Sequence, residues 1–213
     1  MTIKQFEIKY GIHFTLNHTG KMAGMASLST SVVENPICAA RAKVPGSICE
    51  KCFAAQMFRR YGKGFSDCFA KNTEVLTTVE IPVEEWPILN YAFFRFESFG
   101  DLQNETQVRN YFNLCNKNPH TTFALWTKNP EFIARVIEAG MAKPKNIIII
   151  QSSSFINKPE DKKYDFIDKV FTVYDKKYIK ENNVVINCGA RNCLECGRCY
   201  NKRTGAVVSE QVK

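Results

Sequence analysis

Apolar positions along the chain fall in short bursts, and their spacing alternates between two periods. Runs rich in β-branched and aromatic residues predict strands over residues 12–16, 93–97, 122–126, 146–151, 169–174 and 183–187. Helical spacing fills the intervals. Residues 50–61 form one such segment. Residues 105–116 put Val108, Tyr111, Phe112 and Cys115 on one helical face. Residues 130–139 open on a proline, with Asn129 as a candidate N-cap and Gly140 beyond the end. Residues 175–182 make a shorter helix.

Strands alternating with helices imply right-handed βαβ units and a largely parallel sheet. The expected fold class is α/β, either a partial (β/α) barrel or an open, mostly parallel sheet. In both forms the chemistry gathers at the carboxyl ends of the strands. Residues 1–213 are expected to form one domain, long enough to bury a sizeable core.

Composition narrows the class. The chain is 45% hydrophobic and 23% charged, which argues against wholesale disorder. The longest apolar run, Ile147 to Ile150, falls far short of the roughly 20 residues of a membrane helix. The first six residues lack the continuous apolar core of a secretory signal, so a cytoplasmic location is expected. Net charge is +8. A basic surface can attract nucleic acid, but the lysines are scattered among acids and form no binding tail.

Nine cysteines change the picture most. An odd number in a chain without a secretory signal is a poor disulfide framework. The tail holds Cys188 and then Cys193, Cys196 and Cys199 at two-residue spacers, as in the ligand run of bacterial ferredoxins. A second group is Cys38, Cys49 and Cys52, the last running into a predicted helix whose N-terminus favours thiolates. A 4Fe–4S cluster, one or two of them, is the expected cofactor. Zinc is the rival, because two Cys-x-x-Cys pairs also suit a four-Cys zinc site. The cysteine-rich N- and C-terminal segments are expected to meet at the metal centre. Cys68 and Cys115, on apolar helix faces, are expected to be packing residues.

Three consecutive strands end in polar groups. The first gives Arg95, Glu97, Ser98 and Asp101, the second Thr127 and Lys128, the third Ser152, Ser153 and Ser154. Arg95, Glu97, Ser98, Asp101, Lys128 and Ser153 are the catalytic candidates. Plain alternatives stand beside them: helix capping for Asp101 and Asn129, and a buried ion pair between Arg95 and Glu97.

The order of these stretches resembles a known family. Gly20-Lys21, Cys38 and Cys49 leading to Cys52-Phe53-Ala54, Arg95 to Asp101, Trp126-Thr127-Lys128-Asn129-Pro130 and the terminal Cys188, Cys193, Cys196 and Cys199-Tyr200 look like the bacteriophage gene product eighty-eight family of cysteine-rich proteins. That family is similar to iron–sulfur proteins with a radical-S-adenosylmethionine-like barrel. The resemblance implies a partial barrel, a host-cell cytoplasmic location and S-adenosylmethionine as a further cofactor. The cysteine loop here, with ten residues between Cys38 and Cys49, departs from the Cys-x-x-x-Cys-x-x-Cys of those enzymes. Three functions compete. One is an enzyme with an open iron acting on a small substrate, by Lewis-acid hydrolysis of an ester or amide or by radical chemistry. Another is a cluster-stabilised module that binds nucleic acid or a host protein. The third is electron transfer.

Overall fold

The structure, a computed structural model, describes residues 1–212. One six-stranded sheet runs through it: β1 (Ala26–Leu28), β2 (Phe93–Phe96), β3 (Thr122–Thr127), β4 (Ile147–Ser152), β5 (Lys169–Tyr174) and β6 (Val207–Gln211). The strands lie in sequence order, and every neighbouring pair is parallel. The sheet is open, with β1 and β6 as its edges. The described residues also form eight α-helices: α1 (Ile3–Tyr10), α2 (Pro36–Arg41), α3 (Phe53–Tyr61), α4 (Lys63–Thr78), α5 (Glu105–Lys117), α6 (Pro130–Glu138), α7 (Lys176–Asn182) and α8 (Cys193–Cys196).

Strand alternation divides the buried residues between two faces. Phe94, Phe96, Phe123, Leu125, Ile147 and Ile149 pack with α1, α4, α5 and α6 in the main core. Phe96 stacks on Tyr111 of α5 at 4.2 Å and on Phe123 of β3 at 5.2 Å. Each such pair adds about 1 kcal/mol to what burying the rings already contributes. The opposite face carries Ala124, Ile148 and Ile150, and no long helix covers it. Tyr200, Cys193 and Cys199 from the C-terminal segment pack there instead.

Four of the six expected strands are present within a residue at either end. The other two are corrected. Over residues 12–16 the backbone finds other partners. The Asn72 side chain accepts from His13 N–H at 2.6 Å and donates to His13 O at 2.9 Å. Only an isolated antiparallel bridge, Thr15 to Ser27, remains. Residues 183–187 form no strand either. They run beside β6, where Asn187 uses its side-chain amide as a substitute ladder, accepting from Ser209 N–H and donating to Val207 O. The expected helix 50–61 begins later, at Phe53, after a tight 3-10 turn over Ile48–Lys51.

Candidate functional site

The sheet face that carries the C-terminal segment and the carboxyl ends of the strands frame a cavity of about 700 Å³. Its floor includes Arg95 of β2, Trp126 of β3, Ser152 of β4 and Phe171 of β5. Seven of the nine cysteines line it: Cys38, Cys49, Cys52, Cys188, Cys193, Cys196 and Cys199. None is in a disulfide. Cys115 is wholly buried in the main core and Cys68 is half-buried on α4.

Local sequence places the first three thiols. Asn35 caps α2, its Oδ1 accepting from Ile37 N–H at 2.9 Å and Cys38 N–H at 3.2 Å. The same side chain donates to Asp101 O at 2.9 Å, which ties the α2 start to the end of β2. Ile48 N–H donates to Ser154 O at 3.0 Å and seats the Cys49 turn against the end of β4. Cys52 then caps α3. Burial pushes the Cys38 thiol well up, and the Asp101 carboxylate and the Cys49 and Cys52 thiols push the same way. Burial raises Cys49 as well, opposed by the Lys128 ammonium.

The C-terminal thiols form a second group. Asn192 caps the single turn of α8, accepting from Leu194 N–H at 2.8 Å, and Gly197 ends it with φ 58°. Glycine takes that left-handed backbone at little cost. Tyr200 then stacks on Phe93 at 4.7 Å and pins the segment to the sheet. Cys199 is pushed up to about 12 by burial and by its neighbours Cys188, Cys193 and Cys196, with Arg95 opposing. Burial also raises Cys193, while Lys21 and Arg95 pull it down.

The two groups therefore face one cavity but influence chiefly their own members. Among the described residues, no three Cys, His, Asp or Glu side chains already surround one point as ligands of a single ion. The expected meeting of the two cysteine-rich segments holds at the level of a shared cavity.

Five of the six catalytic candidates line that cavity: Arg95, Glu97, Ser98, Asp101 and Lys128. Ser153 does not. It is buried, its hydroxyl 2.8 Å from Thr172 Oγ1, and Ser152 takes the lining position. Arg95 and Glu97 form no ion pair. Glu97 leaves strand geometry at φ 54°, and its buried carboxyl accepts from Thr30 N–H and O–H, Gln107 Nε2 and the Tyr111 hydroxyl. Burial pushes it up to about 7, against the hydrogen bonds from Tyr111 and Thr30. Asp101 accepts from Leu102 N–H at 2.8 Å, Thr127 Oγ1 at 2.6 Å and Lys128 N–H at 3.1 Å, with Arg41 at 3.6 Å. Asn129 precedes α6 but makes no side-chain cap. Its amide donates to Leu102 O at 2.5 Å instead.

Folding also delivers residues that spacing does not single out. His18, Met22, Phe171 and Glu210 line the cavity from three separate segments. His18 Nε2 lies 2.8 Å from Ser27 Oγ, and burial lowers its pKa, helped by the Arg95 charge. No signal short of the fold itself points to these four.

Among the described residues no helix is long and apolar enough to cross a membrane. No curated protein and no solved structure matches the chain. The family described as Gene product 88 does match, over residues 20–211, a span that holds every cavity residue named above except His18, and the chain belongs to that family.

Proposed function

We propose that this chain is an iron–sulfur protein of the 4Fe–4S kind that binds a small substrate between its two cysteine groups. The observation that carries this is the gathering of seven free thiols on one cavity at the strand ends. A donor set made of sulfur alone suits an iron–sulfur cluster or zinc. Seven thiols exceed the four that one structural zinc takes. Their split favours two centres. Cys188, Cys193, Cys196 and Cys199 would hold one completely. Cys38, Cys49 and Cys52 would hold the other with three thiolates.

A three-thiolate cluster supplies an exchangeable iron, which serves as a Lewis acid or, with S-adenosylmethionine, as an electron donor. The protein groups around it do the rest. Lys128 and Arg41 offset thiolate charge at Cys49. Glu97, with a pKa near neutrality, can hold or release a proton at the cavity wall. Trp126 and Phe171 give the floor beside Arg95 and Ser152 an apolar part for a substrate to pack on.

Anaerobic purification followed by iron, sulfide and zinc analysis tests the reading. The expected result is a brown protein with about four irons per filled centre. Cys49→Ala should remove one share of the iron and Cys196→Ala another, each leaving the rest. Electron paramagnetic resonance with added S-adenosylmethionine should perturb only the signal lost in Cys49→Ala. A colourless protein with stoichiometric zinc and no sulfide overturns the proposal.

A further inference from the structure

We propose that Arg95 anchors a subsite for a small oxyanion, a carboxylate or phosphate group carried by the molecule that occupies the cavity. The inference needs the cavity to be a binding site but not the sulfur to hold iron. Arg95 sits on the sheet face that carries the C-terminal segment, where its guanidinium carbon lies 4.2 Å from the ring centroid of Trp126. Stacking on an indole fixes the plane of the guanidinium and leaves its edge free.

That edge is poorly satisfied. Nε is buried without a hydrogen-bond partner. Nη1 reaches only the thioether of Met22, at 3.6 Å, a weak acceptor. No acidic side chain among the described residues pairs with Arg95. A buried donor without an acceptor costs about 1–3 kcal/mol, and a carboxylate or phosphate that presents two oxygens to the fork relieves this with two parallel hydrogen bonds.

The surrounding charges point the same way. Lys128 and Arg198 line the cavity, and neither has an acidic partner among the described residues. The carboxylates nearby are taken. Glu210 pairs with Lys21 at 2.8 Å, Asp101 is held by Thr127 and the Lys128 backbone, and Glu97 is enclosed by donors. No carboxylate in the cavity is therefore left over to pair with Arg95 or Arg198.

Compensating the nearby thiolates is the other use for Arg95, since its charge opposes the upward shifts of Cys193 and Cys199. Among the described residues, however, the one sulfur it hydrogen-bonds is that of Met22. The volume of about 700 Å³ lies in the usual range for a small molecule.

The test is calorimetric titration of the anaerobically purified full chain with inorganic phosphate and with succinate, at ionic strength fixed by chloride. Saturable binding of one anion per chain is expected, and the tighter of the two names the source. Arg95→Gln should weaken it by about tenfold or more, the equivalent of one lost buried hydrogen bond to a charged group. Arg95→Lys, which keeps charge without the fork, should fall between. Iron content should be unchanged in both variants.

The proposal is overturned if the wild type binds neither anion saturably, or if Arg95→Gln binds as well as wild type. It is also overturned if iron is lost in Arg95→Gln, which would make Arg95 a thiolate counter-charge and leave the cluster reading standing. An oligonucleotide that binds tighter than phosphate and displaces it would sink the small-molecule claim. Binding by a wild type that carries no iron keeps the subsite and removes the cluster.

Discussion

Lys21 reaches Cys188, Nζ to Sγ at 3.3 Å, and so links a turn preceding one edge of the sheet to a segment preceding the other. The same ammonium donates to Glu210 of β6 at 2.8 Å. Both edges of an open sheet are thereby drawn toward one cavity. Burial opposes the charge on Lys21, but Glu210 and Cys188 outweigh it and raise its pKa. Lys21→Met should therefore destabilise the chain by about 1 kcal/mol, the scale of a partly exposed ion pair. For a chain of this size that is a drop of about 3 °C in melting temperature. Exchange of the Cys188 amide, which donates to Ser209 O, should speed up. An unchanged melting curve together with unchanged exchange would mean that Lys21 ties nothing.

Part of this arrangement is legible in the sequence. The inner strands announce themselves because a parallel strand covered on both faces is nearly all apolar, as in Ile147 to Ile150. The edges hide. β1 has only three residues, one of them Ser27, which serves His18. β6 places two valines side by side and then three polar residues, so it shows no period-two alternation. The polar helix α4 escapes the apolar pattern because its buried face mixes Phe69, Val75 and Leu76 with the polar Asn72 and Thr73. The cysteine groups are readable because their close spacing is local to the sequence. Ser152 and Ser153 are not separable, because period-two alternation turns on a strand boundary that apolar pattern fixes only to within a residue.

Gly100 has no room for a side chain. A β-carbon there would meet Thr30 Oγ1 and Glu97 Oε2 and lie 2.8 Å from Thr30 O. The conflict is steric, and all three atoms belong to buried residues. Gly100→Ala should cost about 1–3 kcal/mol through forced displacement. At Gly205 a β-carbon would meet nothing within 4 Å, so alanine there should change stability by no more than about 0.5 kcal/mol. Urea midpoints of the two variants check the contrast, and equal midpoints would refute it.

Glu97 should make stability fall as pH rises. Its pKa moves from an ordinary 4.5 to about 7 on folding. Between those values the folded chain binds more protons than the unfolded one, so the slope of stability against pH is negative. The Asp101 carboxylate, which also faces it, pushes in the same direction. The full effect is on the order of 3 kcal/mol, present below about pH 4.5 and lost by about pH 7. Glu97→Gln keeps the shape without titrating. Urea unfolding across this range should show the descending slope in wild type and a flatter one in the variant. Parallel slopes would place the proton elsewhere.

Lys169 holds the loop that follows the last cysteines. Its ammonium is buried and donates to Thr204 O at 2.7 Å, Thr204 Oγ1 at 3.0 Å and Gly205 O at 3.1 Å. Thr204 Oγ1 in turn donates to Arg198 O at 2.7 Å, one residue before Cys199. Burial lowers the Lys169 pKa, while the Cys199 thiolate opposes that. Lys169→Met fills similar space and strips three acceptors of their donor. The expected loss is on the order of 3 kcal/mol, or about 9 °C in melting temperature. If the C-terminal thiols hold a cluster, that share of the iron should fall while the share lost in Cys49→Ala remains. Full iron content at a melting temperature lowered as expected would limit Lys169 to stability. An unchanged melting temperature would show that water replaces the ammonium and that the remaining contacts of Thr204 and Tyr200 hold the loop carrying Cys199.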